Sequence, residues 1–134
     1  MVRHQALTLA SDLCSVREVE RLLQQIIEQY DISPDKYGDM LISLTEAVTN
    51  AICHGNRHDK RKCVRLTYSY HQGEIHFQVM DEGQGFDYES LPDPTTVDHL
   101  MEVGGRGVFL MKQLSDRFSF KNNGSTVEMC FKTE

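Results

Sequence analysis

Two short runs of strictly alternating residues constrain the fold more than any other feature. Val64, Leu66, Tyr68 and Tyr70 alternate with Arg65, Thr67 and Ser69, and Ile75, Phe77 and Val79 resume the pattern after His71-Gln72-Gly73-Glu74. A period of two on either side of a glycine-containing turn predicts a β-hairpin with one apolar face. That face must be buried, and the rest of the chain supplies the cover. Val16, Val19, Leu22, Leu23, Ile26, Ile27 and Tyr30 recur at helical spacing, with Ser11 and Ser15 as competing caps at the start of that helix and Ser15-Val16-Arg17-Glu18 in the form of a capping box. Ser33-Pro34 opens a second helix, which Gly55 ends, and Val108 to Leu114 read as a short buried third one. Further strands are expected at Arg3 to Ala10, Arg117 to Lys121 and Ser125 to Phe131, the last two joined by the turn Asn122-Asn123-Gly124. The order predicts an α+β fold: a two-layer sandwich in which a mixed, mostly antiparallel sheet is covered on one face by helices.

With 134 residues, 40% of them apolar, the chain suits one domain over residues 1–134. A net charge of −6 speaks against a nucleic acid partner, because backbone binding needs a basic face. The one basic cluster, Arg57 to Lys62, reads as a solvated loop. No stretch approaches the ~20 apolar residues of a membrane span, and no basic segment followed by an apolar run begins the chain. Cys14, Cys53, Cys63 and Cys130 are scattered, without a CxxC pair, as expected of reduced thiols in a cytoplasmic protein.

The second helix carries the first chemical signal. At 100° per residue Leu41, Leu44 and Val48 fall on one side, with Ser43, Glu46 and Asn50 nearly opposite. Leu44 to Cys53 contains a single charged residue, so this stripe is too sparse for an ordinary solvated face. It is expected to be covered, with a ligand as the candidate cover. Gly104-Gly105-Arg106-Gly107 before a helix is a candidate phosphate cradle, since bare backbone N–H groups and a helix N-terminus both favour anions. It is not a P-loop, and Gly83-Gln84-Gly85 is no dinucleotide fingerprint. Asp81, at a strand end, can accept a hydrogen bond from an exocyclic amine or simply form a turn. Cys53, His54, His58 and Cys63 offer zinc-ligand atoms at a spacing that matches no familiar four-ligand pattern. The absence of GxSxG argues against a hydrolase elbow.

Together these segments resemble the three ATP-binding boxes of the GHKL (histidine kinase-like) ATPases. Glu46 to Asn56 is similar to the N box, Asp81 to Asp87 to the G1 box and Gly105 to Asp116 to the G2 box, in order and suitably separated. The subfamily they resemble most is that of the anti-sigma-factor serine kinases of bacterial partner switching. The resemblance implies a Bergerat-type fold and use of ATP with Mg²⁺. It implies Glu46 as general base and Asn50 as the Mg²⁺ ligand. Asp81, with Gly83 and Gly85, would bind adenine, supported by Thr126. Gly105 and Gly107 would close a lid over the phosphates, the segment from Tyr88 to Val103 forming that lid and Arg106 facing phosphate or solvent. The same resemblance implies phosphorylation of a serine or threonine on an anti-sigma-factor antagonist, sequestration of a sigma factor, and homodimerisation. An alternative function is a nucleotide-dependent binding module that inhibits its partner without phosphotransfer. A sensor histidine kinase would need a separate helical hairpin, and topoisomerase or chaperone ATPases further domains.

Overall fold

The alternating runs form the centre of the sheet. A computed structural model describes residues 3–84 and 105–133, with side chains for 5–84 and 107–133. Within it β2 (Cys63–His71) and β3 (Glu74–Met80) are joined at Gln72 and Gly73, whose φ values of 52° and 77° give the tight turn a two-residue hairpin needs. Ahead of them come β1 (Arg3–Ala10), α1 (Val16–Gln29) and α2 (Tyr37–Asn50); after them α3 (Gly105–Leu114), β4 (Arg117–Lys121) and β5 (Thr126–Lys132). The strand order is β1-β2-β3-β5-β4.

Every described pairing is antiparallel. β3 and β4 run the same way because β5 lies between them and opposes both. The two-layer α+β expectation therefore holds, with a sheet antiparallel in its bonding where a mixed one was predicted.

Register aligns the apolar residues in rows. Leu66 stands opposite Leu7 and Val79, and Val79 opposite Val127. The next row runs Tyr68, Phe77, Met129, Phe118. All three helices cover this one face: Val19, Leu23 and Ile26 from α1, Met40, Leu44 and Val48 from α2, and Val108 and Met111 from α3 are buried with it. Each such side chain contributes roughly 1.5–3 kcal/mol by leaving water. Tyr30 at the end of α1 stacks on Tyr70 with ring centroids 4.5 Å apart, fixing that helix over β2.

The expected capping box at Ser15 does not form. A 3₁₀ turn, Leu13–Ser15, runs straight into α1, so Ser15 already has helical φ and ψ of −65° and −17°. Its hydroxyl donates instead to the Ala10 carbonyl at 2.9 Å. Asp12 caps the turn, its Oδ1 accepting from the Cys14 amide at 2.9 Å. Ser33 does act as expected, accepting from Asp35 N at 3.3 Å before the 3₁₀ turn that leads into α2.

Candidate active site

α2 is covered by the sheet and by α3. Its Leu44 and Val48 are buried in the core with the sheet, while α3 packs beside it and meets it at Glu46 and Asn50. Ser43, on the sparse polar stripe, is fully buried. A protein helix thus supplies part of the cover that the sequence left to a ligand.

Glu46 and Asn50 lie half-buried, one turn apart, where the first turn of α3 meets α2. The contact depends on a missing side chain. A Cβ on Gly107 would lie 2.8 Å from Glu46 Oε2 and 2.9 Å from Asn50 Nδ2. Gly105 and Arg106 begin the same turn, so the glycine segment is the start of α3 and not a loop preceding it. The helix N-terminus, with its unpaired N–H groups and partial positive charge, is thereby brought to the carboxylate and amide of α2.

Beyond Asn50 the helix widens into a π turn, Ala51–Gly55, closed by Asn56 N donating to Ala51 O at 2.7 Å. Such π turns are frequent at functional sites because they re-aim the chain. Here the turn delivers Gly55 to Asp81, just past the end of β3. A Cβ on Gly55 would fall 2.2 Å from Asp81 Oδ2, and one on Gly83 would fall 2.0 Å from Gly55 O. Gly83 N donates to Asp81 Oδ1 at 2.8 Å, and Asp81 N donates to Ser125 O at 2.9 Å. Burial pushes the Asp81 carboxyl above its ordinary value, partly offset by the Gly83 N–H and the positive charge of Lys62.

Asn56, buried and given no role from sequence, ties this corner together. Its Nδ2 donates to Ser11 Oγ at 2.8 Å and to Cys63 O at 3.0 Å, and its Oδ1 accepts from Glu82 N at 2.7 Å. The segment after β1, the start of β2 and the exit of β3 thus share one amide. A buried asparagine directly after a helix-ending glycine was the available signal.

A cavity of about 290 Å³ beside Asp81 is lined by residues including His54, Gly55, Lys62 and Gly83. Burial, with a smaller contribution from the neighbouring His58, lowers the His54 imidazole below its usual value and favours its neutral form. Thr126 is buried opposite Met80, the residue before Asp81, and its Oγ1 accepts from Asn122 Nδ2 at 3.1 Å. Gly85, the Arg106 side chain and the expected lid from Tyr88 to Val103 lie outside the described residues. Among the described residues, Cys53, His54, His58 and Cys63 do not gather into a metal-ligand cluster. All four cysteines are free, and no described helix is long and apolar enough to cross a membrane.

Known proteins resemble this chain in sequence and in fold. Residues 9–131 match the histidine kinase-like ATPase domain family, and the chain belongs to that family. Its relatives include proteins named as a serine-protein kinase and as an anti-sigma factor. It is 34% identical to serine-protein kinase RsbW of Bacillus subtilis over 103 residues, covering 71% of this chain and 64% of that protein. RsbW of Staphylococcus epidermidis is 30% identical over 116 residues, covering 80% and 72%. Anti-sigma F factor of Geobacillus stearothermophilus is 33% identical over 106 residues, covering 75% and 73%. The chain thus spans about two-thirds to three-quarters of these relatives' lengths. Among solved structures, the RsbU and RsbW domains of a Mycobacterium tuberculosis protein superpose with a TM-score of 0.68 at 16% identity, covering 97% of this chain and 32% of that one, a likeness of fold.

Proposed function

We propose that residues 1–134 act as a cytoplasmic serine/threonine protein kinase that transfers the γ-phosphate of ATP to an anti-sigma-factor antagonist and sequesters a sigma factor or analogous regulator. The observation that carries this reading is the meeting of Glu46, Asn50 and Gly107, which brings a carboxylate, a side-chain amide and a helix N-terminus to one point. A base, a hard-cation ligand and an anion-favouring helix end are what transfer from a nucleotide requires.

In this reading Asp81 accepts the adenine amino group, while Gly83 and Gly85 let the backbone pass close to the base, and Thr126 supports that contact. Gly105, Arg106 and Gly107 hold the phosphates at the start of α3. The Asn50 amide oxygen, a donor type that suits Mg²⁺, would hold the cation, which would supply charge neutralisation to the phosphates during transfer. Glu46 accepts the proton of the substrate hydroxyl as its oxygen bonds to the γ-phosphorus and the bond to ADP breaks. Sigma-factor binding is supported by the relative named anti-sigma F factor, and binding of an antagonist and a homodimeric state belong to the same proposal, carried by the resemblance of the three boxes.

The test is incubation of the chain with MgATP and its cognate antagonist, with phosphate on the antagonist read by mass spectrometry. Phosphoserine or phosphothreonine on the antagonist is expected. Nucleotide binding without transfer would instead establish the binding module that inhibits without chemistry.

A further inference from the structure

The open face of the sheet, on the far side from the helices, carries a constellation that the kinase site does not use. Register sets His76 of β3 opposite Cys130 of β5, with Arg117 of β4 on the other flank of Cys130. Glu74, two residues before His76, projects on the same face. Glu74 Oε2 lies 3.4 Å from His76 Nε2 and 3.4 Å from Cys130 Sγ, and His76 Nε2 lies 3.8 Å from Cys130 Sγ.

These separations have the size of a metal's coordination triangle. Tetrahedral zinc, with bonds of about 2.0 Å to nitrogen and oxygen and about 2.3 Å to sulfur, holds its ligand atoms roughly 3.3–3.6 Å apart. Cys130 is 4% exposed even on this open face, and with His76 and Arg117 it lines a cleft there. The place already attracts positive charge: Arg117 Nη2 lies 2.6 Å from Glu74 Oε2 and 3.4 Å from Cys130 Sγ. The Arg117 side chain is 64% exposed, so solvent can take over its contacts when it is displaced.

We propose that Glu74, His76 and Cys130 form a binding site for a transition-metal dication of the zinc type, with His71 or water in the fourth position. His71 pairs with Glu74 across the β2–β3 hairpin and lines the same cleft. On binding, the Cys130 thiol releases its proton to solvent and the sulfur takes the metal as thiolate, while Arg117 gives up its contacts. The ion ties β3 to β5 on the face opposite Glu46 and Asn50. The mixed S, N, O donor set suits zinc, where the oxygen donors proposed for the kinase site suit Mg²⁺.

Cobalt(II) titration of the full chain without nucleotide tests the site, because tetrahedral cobalt with a thiolate ligand gives intense visible bands and a near-ultraviolet sulfur-to-metal band. One equivalent of cobalt per chain is expected, displaced by zinc. Cys130→Ser is expected to lose the sulfur band, and His76→Gln to weaken zinc binding by roughly 10–100-fold while circular dichroism shows both variants folded. Arg117→Ala is expected to tighten zinc binding by about tenfold, having lost the competing cation. Zinc at about a hundredfold over its Kd should raise Tm by roughly 8 °C in wild type. No sulfur band in wild type, a band that survives Cys130→Ser, unchanged affinity in His76→Gln, or weaker binding in Arg117→Ala would each overturn the proposal.

Discussion

Gly55 lies against the carboxylate of Asp81 so closely that a Cβ on Gly55 would fall 2.2 Å from Oδ2, 2.3 Å from Cγ and 2.8 Å from Cβ of the aspartate. The last of these atoms is fixed to the backbone and cannot rotate away. Gly55→Ala is therefore expected to move the π turn or the Asp81 loop and to cost about 1–3 kcal/mol of stability. Nucleotide binding should weaken alongside it. Denaturant unfolding and calorimetric titration with ATP measure the two effects.

Asp81→Asn separates stability from function. Because burial raises the folded-state pKa of this carboxyl, the folded chain holds the proton more tightly than the unfolded chain. The associated stability is present below the unfolded pKa and is lost as pH rises through the folded one. At neutral pH the neutral amide is expected to leave Tm unchanged or higher, and the difference from wild type should fade on acidification through the carboxylate range. ATP affinity should nonetheless fall by roughly 10–100-fold, because the amide oxygen is held by the Gly83 N–H and the nitrogen left in the Oδ2 position cannot accept from the adenine amine. Thermal melts across pH, paired with titrations at neutral pH, measure both.

Gly107→Ala acts on the other half of the site. The added methyl would meet the ends of two flexible side chains, Glu46 Oε2 at 2.8 Å and Asn50 Nδ2 at 2.9 Å, so these can give way. Helix propensity favours alanine by about 1 kcal/mol, offsetting the strain. The expected outcome is a chain of near-normal stability with phosphotransfer reduced by about tenfold or more, since small displacements of reacting groups are costly. A loss of stability comparable to that of Gly55→Ala would contradict the packing described.

Asn56→Ala should cost about 3 kcal/mol. It leaves the Glu82 amide and the Cys63 carbonyl without the bonds they make to this side chain. Equilibrium unfolding gives the value directly.

Much of this was legible in the sequence because it rests on local periodicity. Alternation from Val64 to Val79 set the hairpin, and the stripe from Val16 to Tyr30 set α1. The glycines and acids of the site were also visible, since close approach and charge each demand particular residue types. The meeting of Gly55 with Asp81 and of Gly107 with Glu46 was not, because both join segments far apart in the chain. The failed cap at Ser15 has the opposite cause. Its local pattern was right, but the Ala10 carbonyl claimed the hydroxyl. The cluster of Glu74, His76 and Cys130 depends on which strands are neighbours, and β5 lies beside β3 only in the folded sheet.

The most direct measurement is single-turnover phosphotransfer from MgATP to the cognate antagonist by wild type and by Glu46→Ala, with ATP affinity measured on the same samples. Glu46→Ala is expected to bind ATP normally and to transfer phosphate about 10²–10⁴-fold more slowly. Equal rates in the two proteins would contradict the assignment of Glu46 as the base, and no transfer by wild type with ATP bound would contradict the kinase itself.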